Sequence, residues 1–303
     1  MTSYPGIVSD TGHNRSGAQL PALSFEFFPA RTPRMDRNLW RTMGQLELFS
    51  PAFFSMTYGA LGSEREHSIS AVESLQQEGP VPVAAHITAA GHTRDSLLAL
   101  AARFAALGVR RLVALRGDDL AQGGFRDVAD MVESLLGVAD FDISVAAYPE
   151  VHPKAPSLAA DLASLRRKLD AGSRRALTQY FFDADVFLRF RDAALRAGIT
   201  QPLVPGILPL HDFDKVQGFS ARCGASVPDF LHERFRGTRA GSTEQREIGI
   251  DIIVKLCENL IREGVEQLHF YTLNQPNLSY EIVRRLQYPL RHELERNSVS
   301  RAA

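Results

Sequence analysis

Cysteine is scarce in this chain: there are two in 303 residues, Cys223 and Cys257, with no close spacing. That excludes a disulfide framework and a cysteine-built zinc site, and it fits a reducing compartment. No H-E-x-x-H pair or Cys/His cluster supplies another metal motif. Neither sign of charge is in excess. The 34 Lys and Arg against 35 Asp and Glu leave a net charge of −1, so no global field favours nucleic acid or an anionic membrane. No apolar run reaches the length of a membrane span. The first residues, MTSYPGIVSDTGHNRSGAQL, lack the apolar core of a secretory signal. A cytoplasmic protein is therefore expected. Glycine-rich phosphate loops are missing as well: no G-x-G-x-x-G follows a strand-like run, and no G-x-x-x-x-G-K-[ST] occurs.

What is present is an alternation. Short apolar runs at 24–28, 53–59, 81–89, 111–116, 142–148, 175–181, 202–208 and 267–273 predict strands. Between them, helical spacing or Ala/Leu-rich stretches predict helices at 33–50, 68–77, 95–107, 127–136, 157–171, 185–197, 214–223 and 243–263, with a last one at 279–286. The interval is about thirty residues, the size of a βαβ unit. Several strands are apolar throughout, as in a parallel sheet covered by helices. Eight such units predict a single-domain (β/α)8 TIM barrel over residues 21–290, with a flexible arm at 1–20 and a flexible tail at 291–303. An open doubly wound sheet is the alternative.

The most informative stretch is Leu23–Pro29, LSFEFFP. A carboxylate among apolar residues is costly to desolvate, and burial favours its protonated form. Glu26 is thus a candidate proton donor; the competing reading is a structural ion pair with an arginine. In a barrel the chemistry gathers at the C-terminal ends of the strands. The polar residues there are Glu26, Thr57, His86, Arg116 with Asp118, Tyr148 with Glu150 and His152, Gln179, and Asn274 with Gln275. In the helix at 161–172, Arg166, Arg167 and Lys168 either complement the helix dipole or hold a pyrophosphate by side-chain cations.

The ordered set SFEFFP, MTYGA, ALRGD, FDISVAAYPEVHP, RRKLDAG, TQYFFD, PGILP and HFYTLN resembles the methylenetetrahydrofolate reductase family of the bacterial type over about residues 23–290. The resemblance implies a barrel that carries FAD without a Rossmann domain. It implies reduction of 5,10-methylenetetrahydrofolate to 5-methyltetrahydrofolate with NADH or NADPH by ping-pong kinetics, in one-carbon metabolism and methionine synthesis, and a homo-oligomer with no nucleic-acid or membrane partner. Carried over by position, it makes Glu26 the proton donor and Asp118 a second catalytic group that lines FAD and faces the folate. Thr57, Tyr58 and Ala60 would lie along the flavin, and His86, Arg116 and Gly117 would line it. Tyr148, His152 and Asp161 would complete its pocket, with Ser164 beside them and Arg167 and Lys168 on the phosphates. Gln179 would contact whichever substrate is bound, and Phe219 would stack over it.

Several family positions differ. Ala30 replaces a proline and Ser164 an asparagine, and Asp127 stands near the adenosine end in place of a tyrosine. Lys215 replaces a folate-contacting glutamine and Gln275 a substrate-contacting arginine. Gln275 offers neither charge nor fork to a carboxylate. Lys215 either meets the folate's anionic tail in its stead or is a solvated lysine beside Asp212 and Asp214.

Overall fold

The computed structural model describes residues 20–59, 62–117 and 124–291, with only the backbone over 62–64. Apart from Leu20 and Arg291, the expected arm at 1–20 and tail at 291–303 lie outside the described residues. Eight parallel strands close into a barrel in chain order: β1 (Ala22–Phe27), β2 (Phe53–Met56), β3 (Val83–Thr88), β4 (Arg111–Leu115), β5 (Asp142–Ala147), β6 (Arg175–Tyr180), β7 (Leu203–Ile207) and β8 (Gln267–Tyr271). The last pairs with the first, Glu26 opposite Tyr271. This is the TIM barrel that the alternation predicts.

The helical layer comprises α1 (Pro33–Leu46), α2 (Gly62–Glu78), α3 (Arg94–Ala106), α4 (Val128–Leu136), α5 (Leu158–Asp170), α6 (Ala184–Arg196), α7 (Phe213–Cys223), α8 (Asp229–Phe235), α9 (Thr243–Arg262) and α10 (Leu278–Arg285). Three helical expectations change. The helix expected over 68–77 already begins at Gly62, in the segment read as polar. The helix expected over 33–50 stops at Leu46, passes through a 3-10 turn and ends at Ser50 in the left-handed region (φ 51°). The segment before 243 contains α8, which sequence reading passes over. Its seven residues bury only Leu231 and Phe235, too few to show a period.

The period of two along each strand sorts side chains between two cores. In β1, Phe25 and Phe27 turn outward, where Phe27 meets Phe54 edge-on at 5.1 Å and Phe25 lies 5.6 Å from Phe270. Most of the apolar core lies in that layer between barrel and helices. The separate inner core is small: Phe53, Ala84, Val113, Leu177 and Val204. Above it, the inward positions of β1 are Ser24 and Glu26, which leaves polar groups inside the barrel.

One clamp on the helical layer has a measurable consequence. Asp130 is buried in α4 and takes both ends of the Arg94 guanidinium at 3.3 Å, while the Arg126 backbone N–H donates to it at 2.9 Å. That backbone bond, with Arg94 and Arg126, outweighs burial and holds the carboxyl at about 2. Because the folded pKa is depressed, the stabilisation is complete above the ordinary aspartate value and is lost as pH falls through about 2. Asp130→Asn is expected to cost about 2 kcal/mol at neutral pH, the scale of a hydrogen bond to a charged group. Urea unfolding of both proteins over a pH series checks this: the gap should narrow in acid.

Candidate active site

A cavity of about 300 Å³ opens at the C-terminal ends of the strands. Of the residues singled out from sequence, Glu26, Thr57, Tyr58, His86, Tyr148, Gln179 and Phe219 line it together. Its floor and walls are otherwise apolar, with Leu115, Ala146, Ala147, Leu177 and Leu208. Such a surface suits a flat aromatic ligand with few polar contacts.

Glu26 stands at the polar end. Its Oε2 is 3.3 Å from His86 Nε2 and 3.6 Å from His269 Nε2. Its backbone is tied to β8, since the Thr272 N–H and hydroxyl both donate to the Glu26 carbonyl, at 3.1 and 2.7 Å. Two residues on, Asn274 brackets Phe28, donating to its carbonyl at 2.7 Å and accepting from its N–H at 3.2 Å. The apolar setting alone implies a raised pKa, and burial is indeed the largest single influence in that direction. The imidazoles of His86 and His269 together outweigh it and hold Glu26 at about 2. These histidines therefore favour the carboxylate form of Glu26, contrary to the expectation from its neighbours in sequence. The partners are histidines rather than the arginine of the competing reading.

A second group of polar residues adjoins Tyr148. The His152 ring meets Tyr148 edge-on at 4.4 Å, and the His152 N–H donates to Asp161 at 2.9 Å. Burial depresses the His152 imidazole, against the pull of Asp161. Asp161, Ser164 and Lys168 follow one face of α5, three and four residues apart. Lys168 is half-buried, donates to the Ala146 carbonyl at 2.6 Å, and is brought down to about 8 by desolvation. It stays cationic at neutral pH and retains two donors beyond the one spent on Ala146. Arg116 is exposed at the end of β4 and acts electrostatically on His152. Gly117 follows in the left-handed region (φ 75°), where a Cβ would lie 2.2 Å from Thr88 Oγ1, so only glycine lets this turn press against β3.

Other singled-out residues sit apart from the cavity wall. Arg167 is exposed and 3.7 Å from Asp127, which also caps α4. Lys215 is 78% exposed and pairs with the buried Asp212 at 2.7 Å. Gln275 is exposed beyond the left-handed pair Leu273 and Asn274. Ala60 and Asp118 lie outside the described residues. Phe219, on α7, stacks against Tyr180 at 5.9 Å, and the Tyr180 hydroxyl lies 3.0 Å from Ser220 Oγ.

Sequence reading missed Tyr180, Tyr271 and Leu273 on the wall and, just beneath it, His269. A signal for His269 existed. It is a polar residue inside the apolar run QLHFY, the pattern that singles out Glu26 in LSFEFFP.

A closed (β/α)8 barrel with a half-buried carboxylate beside two imidazoles, an apolar pocket and cations along one rim belongs to the class of barrel enzymes that act on small molecules at their C-terminal face. Among known proteins, the profile of the Methylenetetrahydrofolate reductase family matches residues 13–287. The chain is 42% identical over 274 residues to the 5,10-methylenetetrahydrofolate reductase of Pectobacterium carotovorum subsp. carotovorum, covering 89% of this chain and 92% of that one. It is 42% identical over 262 residues to the protein of the same name from Escherichia coli (strain K12), covering 86% and 88%. The chain belongs to the methylenetetrahydrofolate reductase family, whose members are oxidoreductases. In fold alone it is similar to a solved Clostridium thermocellum protein described as binding two copies of 5-methyl-5,6,7,8-tetrahydrofolic acid, with TM-score 0.63 and 13% identity over 89% of this chain and 96% of that one.

Proposed function

We propose that this chain reduces 5,10-methylenetetrahydrofolate to 5-methyltetrahydrofolate, with FAD as resident cofactor and NADH or NADPH as reductant, by ping-pong turnover at one pocket. The observation that carries this reading is the placement of Glu26. Its carboxyl lies beside two histidines, and its side chain, 19% exposed, lines the cavity. The donor set also suits the cofactor: an apolar floor for a ring system, and Arg116, Arg167 and Lys168 for a pyrophosphate. When bound, the flavin supplies the hydride chemistry, accepting from the nicotinamide and giving to the folate carbon.

This chain's own residues supply the proton. The methylene bridge becomes electrophilic when its ring opens, and opening requires protonation of the departing nitrogen. A folate seated in the pocket covers the exposed edge of Glu26. Added desolvation pushes the carboxyl up toward a proton-donating range. Gln179 and Phe219 are the substrate contacts of this reading, and Asp118 is its second catalytic group. In this reading Lys215 meets the folate tail in place of Gln275, and the tail must compete with Asp212 for the lysine. The proposal includes a cytoplasmic homo-oligomer serving methionine synthesis, in keeping with two free cysteines and with no helix among the described residues long and apolar enough to cross a membrane.

Anaerobic spectroscopy tests the proposal. The purified protein should show flavin absorbance, bleach with NADH or NADPH, and regain colour on adding methylenetetrahydrofolate. Protein without flavin, or reduced flavin that the folate does not reoxidise, would overturn it.

A further inference from the structure

TIM-barrel interiors are ordinarily filled with branched apolar side chains. Here Ser24, Glu26, Ser55, His86 and His269 occupy inward positions of β1, β2, β3 and β8, and four of them are buried to 5% exposure or less. His269 is wholly buried, with its ring stacked on Phe53 at 5.9 Å and edge-on to Tyr271 at 5.4 Å. Its Nδ1 lies 2.8 Å from Ser24 Oγ. Its Nε2 makes no hydrogen bond of normal geometry and lies 3.6 Å from the Glu26 carboxylate. An imidazole held so firmly, with one nitrogen short of a partner and aimed at a carboxylate, calls for an explanation beyond packing.

The facing carboxylate decides which way the Ser24–His269 bond runs. Ser24 has one proton to give, either to His269 Nδ1 at 2.8 Å or to the Leu268 carbonyl at 3.4 Å, and in the second case Nδ1 is the donor to Ser24. With Ser24 donating to Nδ1, the ring's proton sits on Nε2 and points at Glu26. The opposite arrangement would set a lone pair against the carboxylate. We propose that His269, oriented by Ser24, is a positioning residue that fixes the Glu26 carboxyl group and tunes its affinity for a proton. The inference rests on the proposed role of Glu26 only for its kinetic consequence.

The groups that face Glu26 are His86 from β3, and His269 and Tyr271 from β8; Ser24 and Ser55, from β1 and β2, do not titrate. Burial pushes Tyr271 well above its ordinary value, which leaves the two imidazoles as the lowering influences. Removing one of them while burial persists must raise the Glu26 pKa.

Infrared titration of the carboxylic acid band in the purified full chain reads this directly, with Glu26→Gln assigning the band. The Glu26 midpoint is expected to rise by about one to two pH units in His269→Leu, the scale for loss of a favourable polar neighbour within about 4 Å of a carboxylate. It should rise less in Ser24→Ala and stay near wild type in His269→Gln, whose amide still donates. The pH profile of the folate half-reaction should move upward in the same order, while that of flavin reduction by the nicotinamide stays in place. Unchanged midpoints in His269→Leu and Ser24→Ala would overturn the inference, as would lowered stability with no shift. Should His269→Leu fail to fold, Ser24→Ala carries the test alone. A shifted infrared midpoint with an unmoved folate profile would support the positioning role and overturn Glu26 as the proton donor.

Discussion

Glu26→Gln is expected to keep bound flavin and its reduction by the nicotinamide, and to slow reduction of methylenetetrahydrofolate by a factor on the order of 10² or more, the scale of general-acid catalysis. The amide is nearly isosteric and can still hydrogen-bond toward His86 and His269, so the interior of the barrel should keep its packing. What it lacks is an acidic proton for the departing nitrogen. Stopped-flow measurement of the two half-reactions separates these effects. Equal slowing of both would remove Glu26 from the chemistry of the folate step and leave it a structural carboxylate.

Gly206→Ala is expected to destabilise the barrel by about 3 kcal/mol, at the upper end for an overpacked interior. A Cβ at Gly206 in β7 would lie 2.2 Å from the Thr178 carbonyl oxygen and 2.6 Å from Tyr271 Cε2. Neither neighbour can yield cheaply. Thr178 O accepts the Tyr271 hydroxyl at 2.6 Å, Thr178 Oγ1 accepts the Gly206 N–H at 3.0 Å, and the β6–β7 register is already irregular between Leu177 and Tyr180. Tyr271 also lines the cavity and faces Glu26, so strain here reaches the site. Gly218 is the control. It lies in α7, where an added methyl group would meet nothing within 4 Å, and its change to alanine should be neutral or gain up to about 1 kcal/mol from helix propensity. Urea unfolding of both variants checks the difference. Equal effects would show that the β6–β7–β8 contact is softer than its geometry.

Much of this was legible in the chain itself. The eight strand–helix units could be counted because each strand is a short apolar run and each long helix shows either helical spacing or an Ala/Leu-rich stretch. The helix boundaries that moved most were those without such a signal: the polar start of α2, the 3-10 turn after Leu46 and the brief α8. Glu26 could be singled out because a carboxylate amid Leu23, Phe25, Phe27 and Phe28 is conspicuous. His269 went unnoticed, although it is the same kind of exception in its own strand.

The sequence by itself determined the barrel, the end of the barrel at which polar residues gather, and the family. All three follow from local composition, from periodicity along one chain direction, and from the order of motifs. Only the tertiary structure decided the charge state of Glu26. Its immediate neighbours in sequence contribute desolvation, which raises the pKa, and the reversal comes from imidazoles on β3 and β8. Ser24 and His269, whose hydrogen bond anchors this arrangement, are 245 residues apart in the chain. Electrostatic interaction falls with distance in space and is indifferent to separation along the chain. The sign of a buried group's shift is therefore settled only when closure of the barrel brings its first and last strands together.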